Sequence, residues 1–241
     1  MLLPILCLLL FAGFAFTQEE TKGTSTELSR KVEKKIRDNK KIDIENLKVL
    51  DDNGTIYLEG IARLYGPVYL AEKAARKVDG AKDVKNHIDL QTEKVDDVEI
   101  EGKIINKIRS EMRGTPFDLV SVKSHSGFVE LRGNVQDTTL VDDAVNAAIW
   151  VPGVRGVENK MTLASISSSD ERLRAVIFTR LKTEFPQYFL GKDPSILIIV
   201  NNARVQLIGY VDTNVSVQKI GSIIRSINGV LSVDNQLQTS H

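Results

Sequence analysis

Three segments of the chain alternate apolar and polar residues, and each of them ends in a glycine. They are GTIYLEG, GFVELRG and ARVQLIG, which end at Gly60, Gly133 and Gly209. Alternation with a period of two residues predicts a β-strand that has one buried face. The three glycines are spaced about 73 to 76 residues apart. This spacing predicts three copies of one domain-sized unit.

A second glycine follows each of these strands at a constant distance of 20 residues. In the first copy the intervening segment carries small or apolar residues at Val68, Ala71, Ala75 and Val78. This spacing predicts an amphipathic helix with one buried stripe, and we expect the glycine to supply the left-handed residue that ends it. An asparagine follows six residues later in every copy. The predicted structural glycines are Gly60, Gly80, Gly133, Gly153, Gly209 and Gly229.

Each strand that ends in glycine is preceded by a shorter apolar segment and a turn. The segments are LKVL, LVSVK and SILIIV, and the turns are DDNG, SHSG and NNA, which predicts three hairpins. An amphipathic helix precedes each hairpin, and in the third copy its apolar residues are Leu173, Val176, Ile177 and Leu181. The predicted fold class is therefore α+β. It comprises three tandem αββαβ modules, each with a three-stranded mixed sheet and two helices packed on it.

Polar stretches separate the copies and set the predicted module boundaries. QTEKVDD lies near residues 91–97 and SISSSD at residues 165–170, and both have little to bury. The predicted modules span residues 26–92, 97–165 and 170–239.

The chain begins with an apolar run, MLLPILCLLLFAGFAF. This run is shorter than the ~20 residues of a membrane-spanning helix, and it predicts a secretory signal over residues 1–17. The alternative is an uncleaved anchor. Cys7 is the one cysteine, and no small residue directly precedes it as lipidation would require. Removal of the signal leaves no thiol, which excludes disulfides and zinc–thiolate sites.

The segment after the second glycine resembles the BON family, named for bacterial osmotically inducible and nodulation proteins. GVRGVEN at 153–159 and GVLSVDN at 229–235 match its pattern, and GAKDVKN at 80–86 departs from it by one alanine. The third copy has Ala203 where the others have Gly54 and Gly127, which leaves its turn type open. The resemblance implies a periplasmic or outer-membrane-associated protein whose modules contact phospholipid or envelope partners, with no catalytic motif.

Composition and charge narrow the function classes. Lys+Arg and Asp+Glu both number 32, so no global positive field favours nucleic acid as a partner. His87, His125 and His241 are scattered, so no metal is predicted. No catalytic triad, phosphate-binding glycine loop or pair of catalytic carboxylates recurs among the copies. We therefore predict a non-enzymatic protein without a cofactor or a small-molecule substrate.

The first predicted helix is the most basic stretch of the chain. Its apolar residues are needed against its own sheet, so contact with a membrane would be electrostatic and shallow. The alternative is an ordinary solvated helix face. Trp150 aligns with Lys77 and Ser226, beside the buried stripe, where both interfacial contact and plain packing suit a tryptophan. The candidate lipid-binding residues are Arg30, Lys31, Lys34, Lys35, Lys41 and Trp150.

These patterns lead to one functional hypothesis and one alternative. The hypothesis is an exported envelope protein of the periplasm, peripheral to the inner or outer membrane, that binds an anionic phospholipid surface in osmotic or envelope stress. The alternative is an adaptor or chaperone-like protein that binds envelope proteins through Trp150 and exposed sheet edges.

Overall fold

The computed structural model describes residues 23–111, 117–164, 167–190 and 194–239. Within these ranges the chain forms three separate three-stranded sheets, each accompanied by two helices. The predicted α+β class and the threefold repeat are confirmed. The predicted signal over residues 1–17 lies outside the described residues.

The first module has the element order predicted from its periodicity. Its helices are α1 (Glu27–Arg37) and α2 (Tyr65–Ala75). Its strands are β1 (Glu45–Asp52), β2 (Thr55–Ala62) and β3 (Asp83–Leu90). Strand β2 lies in the middle, antiparallel to β1 and parallel to β3. The crossover between the parallel strands runs through α2, as a parallel connection requires.

The other two modules repeat this order and this strand arrangement. The second contains α3 (Asp97–Glu111), β4 (Leu119–His125), β5 (Phe128–Val135), α4 (Thr138–Ile149) and β6 (Gly156–Leu163). The third contains α5 (Ser168–Glu184), a 3-10 helix (Pro186–Phe189), β7 (Ile196–Asn201), β8 (Arg204–Val211), α6 (Asn214–Arg225) and β9 (Ser232–Thr239).

Each module buries its own core between the two helices and one face of its sheet. In the third module Leu173, Ile177 and Leu181 form the buried stripe of α5. Val176 was predicted to belong to that stripe, and this prediction is wrong, because its side chain is 52% exposed. Residues four apart lie on one side of a helix, whereas Val176 is turned by about 100° from Ile177.

The glycine near the end of each middle strand lies where the edge strand begins. A β-carbon on Gly133 would lie 1.8 Å from the carbonyl oxygen of Leu119, and one on Gly209 would lie 2.0 Å from that of Ser195. The φ angles of the two glycines are +146° and +140°. Both the close approach and the backbone conformation therefore demand a residue without a side chain.

The second glycine of each module does not end the helix as expected. Helix α4 already ends at Ile149, and Gly153 lies in the turn that follows. The amide of Val154 donates to the carbonyl oxygen of Val151, and Gly153 at the third position of this turn has a φ of +88°. A positive φ at that position is the requirement of a type II turn. The glycine thus shapes the entry into β6.

The hairpin turns of all three modules have two successive residues with positive φ, as a type I′ turn requires. In the third module these residues are Asn202 (φ 49°) and Ala203 (φ 59°), so the alanine keeps the turn type. The carboxylate of Asp170 in α5 accepts hydrogen bonds of 2.8 Å from both of their amides. Asp97 binds the corresponding amides of the second module. The acidic residue holds the hairpin against the helix, and the sequence reasoning missed this role.

Replacing Ala203 with glycine is expected to raise the free energy of unfolding of the third module by about 0.5–1 kcal/mol. An alanine in the left-handed region costs roughly 1–2 kcal/mol, and loss of its partly buried methyl group offsets some of the gain. Urea denaturation measures the change. Ala175→Gly on the exposed side of α5 is the control and should destabilise by about 1 kcal/mol. Destabilisation by Ala203→Gly would contradict the strain argument.

Candidate functional site

Helix α1 presents the basic residues that the sequence singled out. Thr26 caps its N-terminus: the Thr26 hydroxyl accepts from the amide of Ser29 (3.1 Å), and the Ser29 hydroxyl accepts from the amide of Thr26 (2.9 Å). Val32 and Ile36 are buried in the module core. The candidate basic residues of the helix are exposed, namely Arg30, Lys31, Lys34 and Lys35, and so is Lys41 in the turn that follows the helix.

These cations differ in whether they already have a partner. Lys31 forms an ion pair with Glu27 at 2.7 Å, and the hydrogen bond between them lowers the pKa of Glu27. Lys35 donates to the carbonyl oxygen of Lys77 at 3.2 Å. In contrast, Arg30, Lys34 and Lys41 form no side-chain hydrogen bond or ion pair with the described residues. Arg30 and Lys34 are four residues apart and lie on the same side of the helix.

The packing of α2 against α1 adds a cation that the first helix alone does not contain. The Lys35–Lys77 contact places the end of α2 beside α1, and the Lys77 side chain is exposed. Within the described ranges the side-chain ammonium of Lys77 forms no hydrogen bond or ion pair. Lys77 lies 42 residues beyond Lys35 in the chain. In the sequence, Lys77 stood out only as the residue that aligns with Trp150 of the second copy.

The open sheet face of the second module also carries cations, but they are neutralised. Glu130 on β5 contacts Arg132 on the same strand and Lys160 on β6. These hydrogen bonds, first that of Arg132 and then that of Lys160, lower the pKa of Glu130 to about 2. Its carboxylate balances one of the two cations, and Glu158, 2.9 Å from Lys160, balances the other. Unpaired positive charge is a feature of α1, not of this face.

Trp150 lies between the first two modules. A β-carbon on Gly66, at the start of α2, would lie 2.7 Å from Cε3 of the indole ring. Tyr65 and Tyr69 of the same helix also pack against the second module's core cluster, and Lys73 lies 3.7 Å from Asp142. Burial raises the pKa of Tyr65, and a hydrogen bond to the backbone of Val157 opposes that rise. The half-buried tryptophan therefore packs one module on the next.

Replacing Trp150 with alanine is expected to lower the free energy of unfolding by about 2 kcal/mol, less than the 3–5 kcal/mol of a fully buried tryptophan. The physical reason is the void left against Gly66. Chemical denaturation measures the loss, and sedimentation with anionic vesicles should remain unchanged. Lost vesicle binding with unchanged stability would instead place Trp150 in lipid contact.

Neither a metal site nor a membrane span is found among the described residues. They contain no group of three or more histidine, cysteine, aspartate or glutamate residues that could hold a metal ion. None of the helices in these ranges has the length and apolar character needed to cross a membrane.

The chain is similar to several known proteins, among them the following two. Osmotically-inducible protein Y of Escherichia coli (strain K12) is 30% identical over 124 residues, which cover 50% of this chain and 61% of that protein. The match thus spans less than two thirds of the relative's length. The C-terminal domain of CdsD, a structural protein of the type III secretion system of Chlamydia trachomatis, is 13% identical, with coverage of 90% of this chain and 100% of that one. Its TM-score of 0.26 carries no conclusion.

The family comparison covers each module in turn. The BON domain model matches residues 24–92, 96–165 and 169–240. These ranges contain the three αββαβ units described above, apart from Ser168, the first residue of α5. The chain therefore belongs to the BON domain family and carries three copies of that domain.

Proposed function

We propose that this chain is an exported envelope protein of the periplasm that binds anionic phospholipid surfaces in osmotic or envelope stress. The observation that carries the proposal is a group of exposed cations on and beside α1 whose side chains form no hydrogen bond or ion pair with the described residues: Arg30, Lys34, Lys41 and Lys77. The similarity to osmotically-inducible protein Y supports the envelope and stress context.

The proposed contact is electrostatic because the apolar side of α1 is already buried. Val32 and Ile36 are 0% and 1% exposed, so the helix has no second apolar face to insert among acyl chains. Each lysine or arginine close to an anionic surface contributes about 1 kcal/mol. A few such charges give weak, reversible attachment. Attachment of this kind suits a peripheral role at the inner or outer membrane.

Co-sedimentation with vesicles tests the proposed function. The chain without residues 1–17 should sediment with vesicles rich in phosphatidylglycerol and hardly at all with pure phosphatidylcholine. Added salt should release it, because exposed charges are screened beyond about 10 Å at 0.1 M ionic strength. Equal binding to neutral vesicles, or binding that salt does not weaken, would contradict an electrostatic contact.

A second candidate function is that of an adaptor for envelope proteins. The edge strand β7 favours this function, because Ile196–Asn201 contains no charged residue. Leu197 and Ile199 are half-buried and lie on the open face of the sheet. Uncharged edges are templates for pairing with another chain. Capture of a partner in the absence of lipid, through β7, would favour this function over the first.

A further inference from the structure

Two exposed apolar side chains lie next to the hairpin turn of the second module. Phe128 directly follows the turn residues Ser126 and Gly127, and it is 59% exposed. Val98 is 77% exposed and follows Asp97 at the start of α3. The Asp97 carboxylate accepts hydrogen bonds of 2.7 and 2.9 Å from the amides of the two turn residues. These contacts place both apolar side chains at one end of the module, which we call the second-module tip.

The other two modules are polar at both of these positions. The first position directly follows the hairpin turn, and the second lies six residues before a buried residue of the first helix. In the other modules Phe128 is replaced by Thr55 and Arg204, and Val98 is replaced by Thr26 and Glu171. Two positions that are far apart in the sequence are thus both apolar in the second module.

A glycine on the neighbouring strand gives the ring of Phe128 a defined position. Gly156 at the start of β6 is the direct neighbour of Phe128 in the sheet. A β-carbon on Gly156 would lie 2.8 Å from Cδ1 of the ring, so the ring lies over the glycine. The other modules have Asp83 and Ser232 at the place of this glycine. The exposed ring therefore belongs to a local arrangement that only the second module has.

Arg155 adds a positive charge to the second-module tip. Its amide donates to the carbonyl oxygen of Gly127 at 2.8 Å, and a β-carbon on Gly127 would lie 2.9 Å from Cγ of the arginine. The exposed guanidinium forms no hydrogen bond or ion pair with the described residues. The carboxylates next to Val98, those of Asp96 and Asp97, both accept hydrogen bonds from backbone amides at the start of α3. The positive end of the helix dipole offsets part of their charge.

The basic residue Lys41 and the second-module tip lie at the same end of the module pair. Ile44, three residues after Lys41, lies beside Gly60 near the end of β2, where a β-carbon would be 2.5 Å from its Cγ2. Helix α2 begins at Tyr65, soon after that strand, and the Tyr65 hydroxyl is hydrogen-bonded to the backbone of Val157. Val157 directly follows the glycine beneath the aromatic ring. One flat surface can therefore contact Lys41 and the tip together.

We propose that the second-module tip is an additional membrane contact, in which Phe128 and Val98 enter the interface of an anionic bilayer and Arg155 binds headgroup phosphate. The inference rests on the proposed function, and it adds the apolar anchor that α1 lacks. An anionic bilayer fits the tip because its headgroups attract the cation and its acyl boundary accepts apolar side chains. Two side chains give a weak anchor, so attachment still depends on the cations of α1.

A fluorescent label tests whether the tip enters the bilayer. The chain without residues 1–17 has no cysteine, so Phe128→Cys introduces a single thiol for an environment-sensitive nitrobenzoxadiazole label. On vesicles of phosphatidylglycerol and phosphatidylcholine its emission should shift to the blue, and lipids with spin-labelled acyl chains should quench it. Thr55→Cys, at the corresponding position of the first module, is the matched control, and a label there should stay in water.

The possible outcomes separate this proposal from the proposed function. A label at position 128 that stays in water while the chain sediments with the vesicles would overturn the tip contact and leave the proposed function intact. A chain that does not sediment at all would contradict both. A blue shift that appears without vesicles and grows with protein concentration would show that a second copy covers the tip, and it would also overturn the membrane contact.

A double variant measures the contribution of the tip to binding. Phe128→Thr together with Val98→Thr gives the tip the residues of the first module and should lower partitioning onto these vesicles about tenfold. Salt does not screen apolar contacts, so the ratio between parent and variant should be the same at low and high ionic strength. Val215→Thr, at a side chain that is 72% exposed at the start of α6, is the matched control and should bind like the parent. Equal binding of the double variant and the parent would refute the anchor.

Discussion

Replacing Arg30, Lys34 and Lys41 together with glutamine is expected to lower the partitioning of the chain onto anionic vesicles by about two orders of magnitude at low ionic strength. Each of these charges contributes about 1 kcal/mol near an anionic surface, and 1.4 kcal/mol corresponds to a factor of about ten. None of the three side chains forms a hydrogen bond or ion pair with the described residues, so the fold should not change. Vesicle sedimentation, with circular dichroism as a check of folding, measures the effect.

A matched control removes the same charge from paired positions. Lys103, Lys123 and Arg180 are exposed, and each lies within 4 Å of a glutamate. Their joint replacement by glutamine changes the net charge by the same amount as the first triple variant. It should alter vesicle binding far less, because a nearby glutamate already offsets each of these positive charges. If both triple variants lose binding to the same extent, net charge rather than α1 governs the attachment. If neither loses it, the contact lies elsewhere and the proposed function of α1 is wrong.

Gly133→Ala is expected to lower the free energy of unfolding of the second module by about 3 kcal/mol or more. The new β-carbon would lie 1.8 Å from the Leu119 carbonyl oxygen, so β4 must shift away from β5. Forced shifts of this kind cost about 1–3 kcal/mol, and the backbone conformation at a φ of +146° adds about 1–3 kcal/mol for a residue with a side chain. Urea denaturation followed by circular dichroism reports the change.

The same module offers a glycine at which alanine should have the opposite effect. Gly102 lies inside α3, and a β-carbon there would meet none of the described atoms within 4 Å. Gly102→Ala should therefore stabilise the module by about 0.5–1 kcal/mol, the difference in helix propensity. Equal responses of the two variants would show that the close approach at Gly133 relaxes without cost.

The sequence showed an asparagine at the same place in every copy, and the structure shows why it recurs. The Asn235 side-chain amide donates to the Val217 carbonyl oxygen in α6 at 2.9 Å, and its oxygen accepts from the amide of Leu237. Asn86 makes the equivalent contacts with Val68 and Ile88. The asparagine thus ties the last strand to the start of the second helix. Its recurrence reflects packing within the module.

The candidate site could be predicted only in part. Clustered basic residues were visible in the sequence, because they are neighbours along one helix. Which of them is unpaired was not visible, since the partners of Lys31 and Lys35 depend on side-chain rotamers and on a helix packed from 42 residues away. The position of Trp150 against Gly66 depends on contact between two modules that no local pattern encodes.

The sequence by itself determined the module, its three copies and its sheet. Strand alternation, helical spacing and turn residues are properties of near neighbours, and each copy repeats them, so the αββαβ order could be derived without coordinates. Only the tertiary structure decided how equivalent positions diverge. Among the described residues Gly153 is buried beneath Val95 and Gly229 is exposed, although both occupy the same turn of the same motif. The physical reason is that secondary structure depends on neighbouring residues. The burial of a residue and the ion pairs of its side chain depend on segments that are distant in the chain and pack against it.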